Sequence, residues 1–127
     1  MVKFKNVSKS FGTIKALENV SFEVEKGEFV YITGPSGAGK TTILRLILSE
    51  MHPDSGEIIL DGADITKLAE EQIPSYRQKI GVIFQDFKIL TERTVRENVE
   101  VALAVSGVAQ EDWAGRVNQV LKLVGLS

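Results

Sequence analysis

Lys40 stands in the stretch GPSGAGKTT, residues 34–42, with glycines at 34, 37 and 39 before it and two hydroxyl side chains, Thr41 and Thr42, after it. Gly34, Gly39, Lys40 and Thr41 meet the spacing G-x-x-x-x-G-K-[ST], which suits the binding of a polyphosphate. Glycines let successive backbone N–H groups curl around an anion with no Cβ in the way. A helix opening directly after them adds its unpaired N–H groups and the positive end of its dipole at the same point. Lys40 then supplies a compact cation for the β and γ phosphates, and the Thr41 hydroxyl is suited to ligate Mg2+. The plain alternative is a flexible turn carrying a solvated lysine, and the flanking segments weigh against it.

Those segments are what must hold the loop. Upstream, Phe29 to Ile32 (FVYI) is continuously apolar, the pattern of a strand covered on both faces as in a parallel sheet. Downstream, Ile43, Leu44, Leu46, Ile47 and Leu48 are apolar nearly all round a helix, which predicts burial, with Pro53 and Gly56 of HPDSG as its stop. Before the loop, VKFKNV and VSFEVEKG alternate, as antiparallel strands with one wet face do. After it, EIILDG reads as a strand and turn, Pro74 fits the first turn of a short helix, and GVIF (81–84) reads as a second buried strand. Thr94 with Glu97 forms a capping box for a helix whose stripe is Val95, Val99 and Leu103. A last helix is predicted over 110–124, with acids Glu111 and Asp112 in its first turn, a stripe of Trp113, Val117, Val120, Leu121 and Val124, and a stop at Gly125.

Bulk properties exclude several roles. With 127 residues the chain has the length of one domain or part of one. A net charge of −2 offers no general attraction to nucleic acid or anionic lipid. Without cysteine there is neither a disulfide framework nor a thiolate metal site, in keeping with a reducing compartment. The N-terminus lacks the apolar stretch of a signal peptide, and no run approaches the ~18 apolar residues of a membrane span, so the chain reads as cytosolic.

Three stretches in order, VSKSFG, KGEFVYITGPSGAGKTT and IGVIFQDF, resemble the nucleotide-binding domain of ATP-binding-cassette (ABC) proteins. The resemblance implies an α/β P-loop NTPase fold with an antiparallel β layer plus a parallel core, and ATP with Mg2+ as cofactors. It makes Gly34, Pro35, Ser36, Gly37, Ala38, Gly39, Lys40, Thr41 and Thr42 the phosphate cradle, with Thr42 reaching the α phosphate and Phe11 stacking on adenine. Gln85 becomes the loop glutamine that senses Mg2+ and the γ phosphate, so that Lys40 and Gln85 are catalytic and Thr41 and Gln85 metal-facing. The Asn-Lys-x-Asp guanine reader of a GTPase is absent. Phe11 as a core aromatic and Gln85 as a polar strand end are the bland alternatives. Asp61, followed by Gly62, is read as a turn residue rather than a Mg2+ holder. His52 is read as a solvated helix cap, Trp113 as packing, and Arg93 and Arg96 as a solvated face.

Within the family, RQKIGVIFQDFKILTERTVRENVEVAL looks like the FtsE subfamily, ATP-binding subunits of a bacterial cell-division complex. That likeness implies an integral-membrane, FtsX-type partner that controls cell-wall hydrolysis, docked in a groove beside Gln85 with Phe87, Ile89 and Leu90 exposed. It also implies a homodimer of nucleotide-binding domains, peripheral on the inner face of the cell membrane. An importer or lipoprotein-release ATPase is the alternative within the family. A nucleotide-binding module without catalysis and a P-loop kinase of a small substrate are alternatives outside it. The family's Leu-Ser-Gly-Gly-Gln signature, its apolar strand ending Asp-Glu and its switch histidine do not occur, so 1–127 is expected to be the N-terminal part of one domain: 1–90 nucleotide-binding core with β layer, 91–127 the start of a helical subdomain. Leu126 and Ser127 are not read as the start of that signature. Such a piece is expected to contact phosphates, to lack hydrolysis alone, and to leave apolar faces and strand edges that favour self-association.

Overall fold

β1 (Val2–Phe11) and β2 (Ile14–Val24) form an antiparallel hairpin closed by Gly12 and Thr13, with Phe11 opposite Ile14. These coordinates are a computed structural model that describes residues 1–126; Ser127 lies outside them. β1 also pairs antiparallel with β3 (Ser55–Leu60), which turns through Asp61 and Gly62 into β4 (Ala63–Asp64), giving the sheet order β2-β1-β3-β4. Asp61 and Gly62 both adopt positive φ, 47° and 86°, as the tight two-residue hairpin turn requires, and the Asp61 carboxylate accepts a hydrogen bond from the N-terminal ammonium at 2.8 Å. Asp61 is thus a turn residue. Strict alternation places Phe4 and Asn6 on one face, but register shifts follow Phe4 and Asn6 takes φ 50°, so that Phe4 and Val7 are the buried pair.

The chain divides into two compact units, Met1–Arg77 and Gln78–Ser127. In the first, α1 (Lys40–Ile47) buries Ile43 and Leu46, while Leu44 stays 39% exposed. The expectation of a helix buried all round is therefore corrected: only its inner stripe is covered. Its stop also differs from the expected HPDSG. Ser49 donates to the Leu46 carbonyl at 3.0 Å and Glu50 to the Arg45 carbonyl at 2.9 Å, a Schellman closure with Ser49 at φ 50°. Gly56 lies inside β3, where a Cβ would meet the Asn6 carbonyl oxygen at 2.4 Å; it allows close strand approach rather than a turn. The short helix α2 (Ile73–Arg77) carries Pro74 in its first turn and seals α1. The Tyr76 hydroxyl donates to the Ile47 carbonyl, Arg77 Nε donates to the Leu48 carbonyl at 2.8 Å, and Arg77 Nη2 to the Ser49 carbonyl at 3.1 Å. A cation at the negative helix end satisfies carbonyls that the helix leaves open. Burial pushes the Tyr76 phenol up to about 12.

Among the described residues no parallel strand pair forms. Residues 29–32 and 81–84 have no regular structure, and Phe29, Tyr31 and Ile83 are 81%, 80% and 90% exposed. The expectation of buried strands there is corrected, and the expected apolar faces are present. A parallel strand takes all its backbone hydrogen bonds from neighbours, and no described strand pairs with either segment. In the second unit, α3 (Val95–Val105) begins with the expected capping box: Thr94 N–H donates to Glu97 Oε2 at 2.7 Å, and Thr94 Oγ1 accepts from Glu97 N–H at 3.2 Å. The Thr94 amide and hydroxyl hold the Glu97 carboxyl below its usual range. A 3-10 turn (Gln110–Asp112) leads into α4 (Trp113–Leu123), ended by Gly125 at φ 73°. Val117 is fully buried, Trp113 Nε1 donates to the Val108 carbonyl at 2.9 Å, and Arg96 is tied to Asn118 at 2.9 Å rather than simply solvated.

Ser49 holds a left-handed conformation that costs an L-residue about 1 kcal/mol and glycine nothing. Ser49→Gly should therefore raise stability by about that amount, read as a rise of about 3 °C in Tm; a fall in Tm would count against the Schellman closure.

Candidate functional site

The expected loop occupies residues 34–39, and α1 opens immediately after it at Lys40. Ala38 N–H donates to the Pro35 carbonyl at 3.2 Å, curling the loop back on itself. The first bond of the helix runs from Ile43 N–H to the Gly39 carbonyl at 3.0 Å, so the amides of Gly39 to Thr42 precede the helical ladder. Gly39 is the N-cap, with φ 87° and no side chain to satisfy those amides. The loop is neither drawn into a continuous helix nor consumed by strand pairing. Lys40 folds back over it, its ammonium 2.7 Å from both the Gly34 and the Pro35 carbonyl oxygens. The uncapped helix start, the Lys40 ammonium on the loop carbonyls and the exposed Thr41 thus all belong to the loop and the first turn of α1.

The sheet sets where that region sits. A Cβ on Gly39 would lie 2.4 Å from the Ala16 carbonyl oxygen and 2.8 Å from Leu17 Cδ2, so the loop rests directly on β2. Ala16 is two residues from Ile14, the register partner of Phe11, which brings Phe11 and the loop to the same end of the hairpin. Phe11 is 44% exposed, so it is not a core aromatic. Lys9 reaches it, Nζ lying 5.8 Å from the ring centroid, while the same ammonium is held by Asp54 Oδ1 at 2.9 Å. Sequence reasoning missed Lys9 and Asp54. Period-two spacing from Lys9 to Phe11 was the available signal, and the Asp54 contact spans too much chain to be read locally.

The remaining predicted site residue, Gln85, belongs to the second unit. It follows Phe84 in a turn closed by Phe87 N–H to the Phe84 carbonyl at 3.0 Å, and it is exposed. Phe87 and Lys88 adopt consecutive positive φ values of 56° and 50°, and Lys88 pairs with Asp86 at 2.6 Å. Beyond them Phe87, Ile89 and Leu90 are 71%, 60% and 46% exposed. They border a groove of about 700 Å³ whose floor is Val95, Val99 and Leu103 of α3, the stripe read from sequence. Leu90, expected to be exposed beside Gln85, lines this groove. His52 is exposed beyond the end of α1.

The sequence profile of the ABC transporter family matches residues 17–127. The chain belongs to the ABC transporter family. It is 45% identical over 127 residues to the cell division ATP-binding protein FtsE of Bacillus subtilis (strain 168), covering 99% of this chain and 56% of that one. It is 42% identical over 127 residues to the methionine import ATP-binding protein MetN of Rhizobium johnstonii, covering 100% of this chain and 35% of that one. Among solved structures it is similar to the dimeric post-hydrolysis state of the ATP-binding cassette MJ0796 bound to ADP and Pi, with a TM-score of 0.84 and 37% identity, covering 100% of this chain and 58% of that chain. This chain thus spans about half or less of the length of these relatives. The likeness shows the ABC-type P-loop fold: the antiparallel layer is present here, and the parallel pairing expected of it does not form among the described residues.

Two glycines of the loop should respond differently to a methyl group. At Gly37 a Cβ meets nothing within 4 Å, so Gly37→Ala carries only the cost of φ 81°, about 1 kcal/mol. At Gly39 the Cβ collides with the backbone of β2, so Gly39→Ala should destabilise by about 2–4 kcal/mol in urea denaturation. Equal losses would contradict the close approach.

Proposed function

We propose that residues 34–42 cradle the triphosphate of ATP with Mg2+, and that this chain carries the nucleotide-binding half-site of an ABC ATPase subunit. The observation that supports this most is the Lys40 ammonium seated on the Gly34 and Pro35 carbonyls at 2.7 Å beside an uncapped helix start. That arrangement fits an anion: the ammonium and the amides of Gly39 to Thr42 are donors gathered at one point, and the open φ of the glycines keeps side chains out of it. Lys40 would hold the β and γ phosphates, Thr41 would face the cation, Thr42 the α phosphate, and Phe11 the base. Among the described residues no group of three or more acidic or imidazole side chains could hold a metal, so a divalent ion at this loop would rely on Thr41, phosphate oxygens and water. Arg77, bound to the carbonyls of Leu48 and Ser49, is committed to α1 and does not suit the arginine lid of a small-molecule kinase.

For the biological role we favour the cell-division reading, on the stretch Phe84, Gln85, Asp86, Phe87 and Arg93 to Val99. In this reading the subunit turns ATP binding and hydrolysis into movement of an FtsX-type membrane partner, pairs with a second nucleotide-binding domain, and lies at the inner membrane face. The partner's amphipathic cytoplasmic helix would insert its apolar side into the groove bordered by Phe87, Ile89 and Leu90. Among the described residues no helix is long and apolar enough to cross a membrane. Similar identity to MetN keeps methionine import as the second reading. Complementation separates them: the full-length subunit should restore division in cells lacking the cell-division ATPase, and restoration of methionine uptake instead would reverse the choice.

Nucleotide titration tests the cradle. Lys40→Ala should cost about 2–5 kcal/mol of ATP affinity, the loss expected when one partner of a desolvated charge pair is removed. Unchanged affinity would sink the phosphate assignment. The 127-residue chain alone should turn ATP over at background rate; steady turnover abolished by Lys40→Ala would show that it hydrolyses ATP unaided.

A further inference from the structure

Asn98, in the first turn of α3, makes the densest side-chain to backbone network among the described residues of the second unit. Its Oδ1 accepts from Leu90 N–H at 2.8 Å, while Nδ2 donates to the Leu90 carbonyl at 3.0 Å and to the Thr94 carbonyl at 2.9 Å, with the Arg93 carbonyl at 3.4 Å. One primary amide thus answers both backbone groups of Leu90, as a strand neighbour would, from eight residues away. The Leu90 carbonyl also accepts from Arg93 N–H at 3.0 Å, so the Asn98 acceptor matters most to the Leu90 N–H, in a segment where residues 89 and 90 have no regular structure and follow two left-handed residues, Phe87 and Lys88. Both conformations are uncommon for bulky side chains and persist only where surrounding contacts enforce them.

We infer that Asn98 is the positioning residue of the Phe87–Leu90 loop: it fixes the end of the loop to α3, so that Phe87 and Ile89 are presented over the groove. The functional consequence rests on the reading of that groove as the docking surface for the partner's helix. The chemistry is specific to asparagine. Leucine has the same branching but leaves Leu90 N–H without its Asn98 acceptor, while the Leu90 carbonyl keeps only the Arg93 N–H at 3.0 Å. Aspartate keeps an acceptor for Leu90 N–H but turns a negative charge toward the carbonyls of Leu90, Arg93 and Thr94. Glutamine carries the same amide one methylene too far out.

The test uses the full-length subunit, first alone and then in membranes holding its own membrane partner. Hydrogen exchange of the Leu90 amide should speed up about tenfold or more in Asn98→Leu, the scale of losing one to two net hydrogen bonds, while the amides of residues 100–105 keep their protection. An unchanged Leu90 amide would overturn the inference. So would equal loss of protection along α3, which would make Asn98 an ordinary helix-start residue. Asn98→Asp, which keeps side-chain size and an acceptor for Leu90 N–H, should lose less Leu90 protection than Asn98→Leu at neutral pH and regain more in acid, where a protonated carboxyl can again donate to a carbonyl. A role in packing alone would show no such recovery. In the membrane assay Asn98→Leu should weaken retention of the subunit about tenfold, with Phe87→Asp as the comparison. Release by Phe87→Asp but not by Asn98→Leu would reject the role of Asn98 and leave the groove intact as a docking surface. Retention of both would reject the docking surface itself, and with it any part for Asn98 in docking.

Discussion

The first unit depends on one close approach, that of the Gly39 backbone to the Ala16 carbonyl of β2. Nothing larger than a hydrogen fits there. Because α1 begins at the next residue, the contact fixes where the helix starts relative to the sheet, and so where its unpaired amides lie. Because Ala16 lies near the hairpin end that carries Phe11, the same contact brings an aromatic face and the glycine-rich loop with its uncapped helix start to one end of the hairpin. A side chain at position 39 would separate them.

What holds α1 from the other end is equally non-local. The Ser49 turn consumes two of its last carbonyls, and Tyr76 and Arg77 take those of Ile47, Leu48 and Ser49. The helix is thus left open at its N-terminus and sealed at its C-terminus. Its positive end is available to an anion, and its negative end is already neutralised by a guanidinium. This asymmetry is what a short helix needs if it is to serve as half of a binding site without fraying.

The second unit follows a different logic. Its helices are set by local signals, the Thr94–Glu97 box and the Gly125 closure, while its exposed loop is set by one amide on α3. Apolar side chains that face outward, Phe87 and Ile89 here and Phe29 and Tyr31 in the first unit, are costly in water and mark surfaces suited to cover by something else.

Features closed within a few residues were legible in the sequence alone: the GPSGAGKTT loop before a helix, the Asp61-Gly62 turn, the Thr94 cap and the Gly125 stop. Each is decided by backbone freedom or capping chemistry that neighbouring residues carry themselves. The stripes read for α3 and α4 were not all covered, since Val95, Val120 and Val124 are exposed. Only the tertiary structure decided which way Val7 points after the Asn6 irregularity, that Leu44 stays open, that Arg77 serves α1 from 29 residues away, and that residues 29–32 and 81–84 remain unpaired. The physical reason is common to all four. Burial and ladder pairing are properties of whatever lies opposite a residue, and an apolar run states only what a segment can bury, never what arrives to cover it.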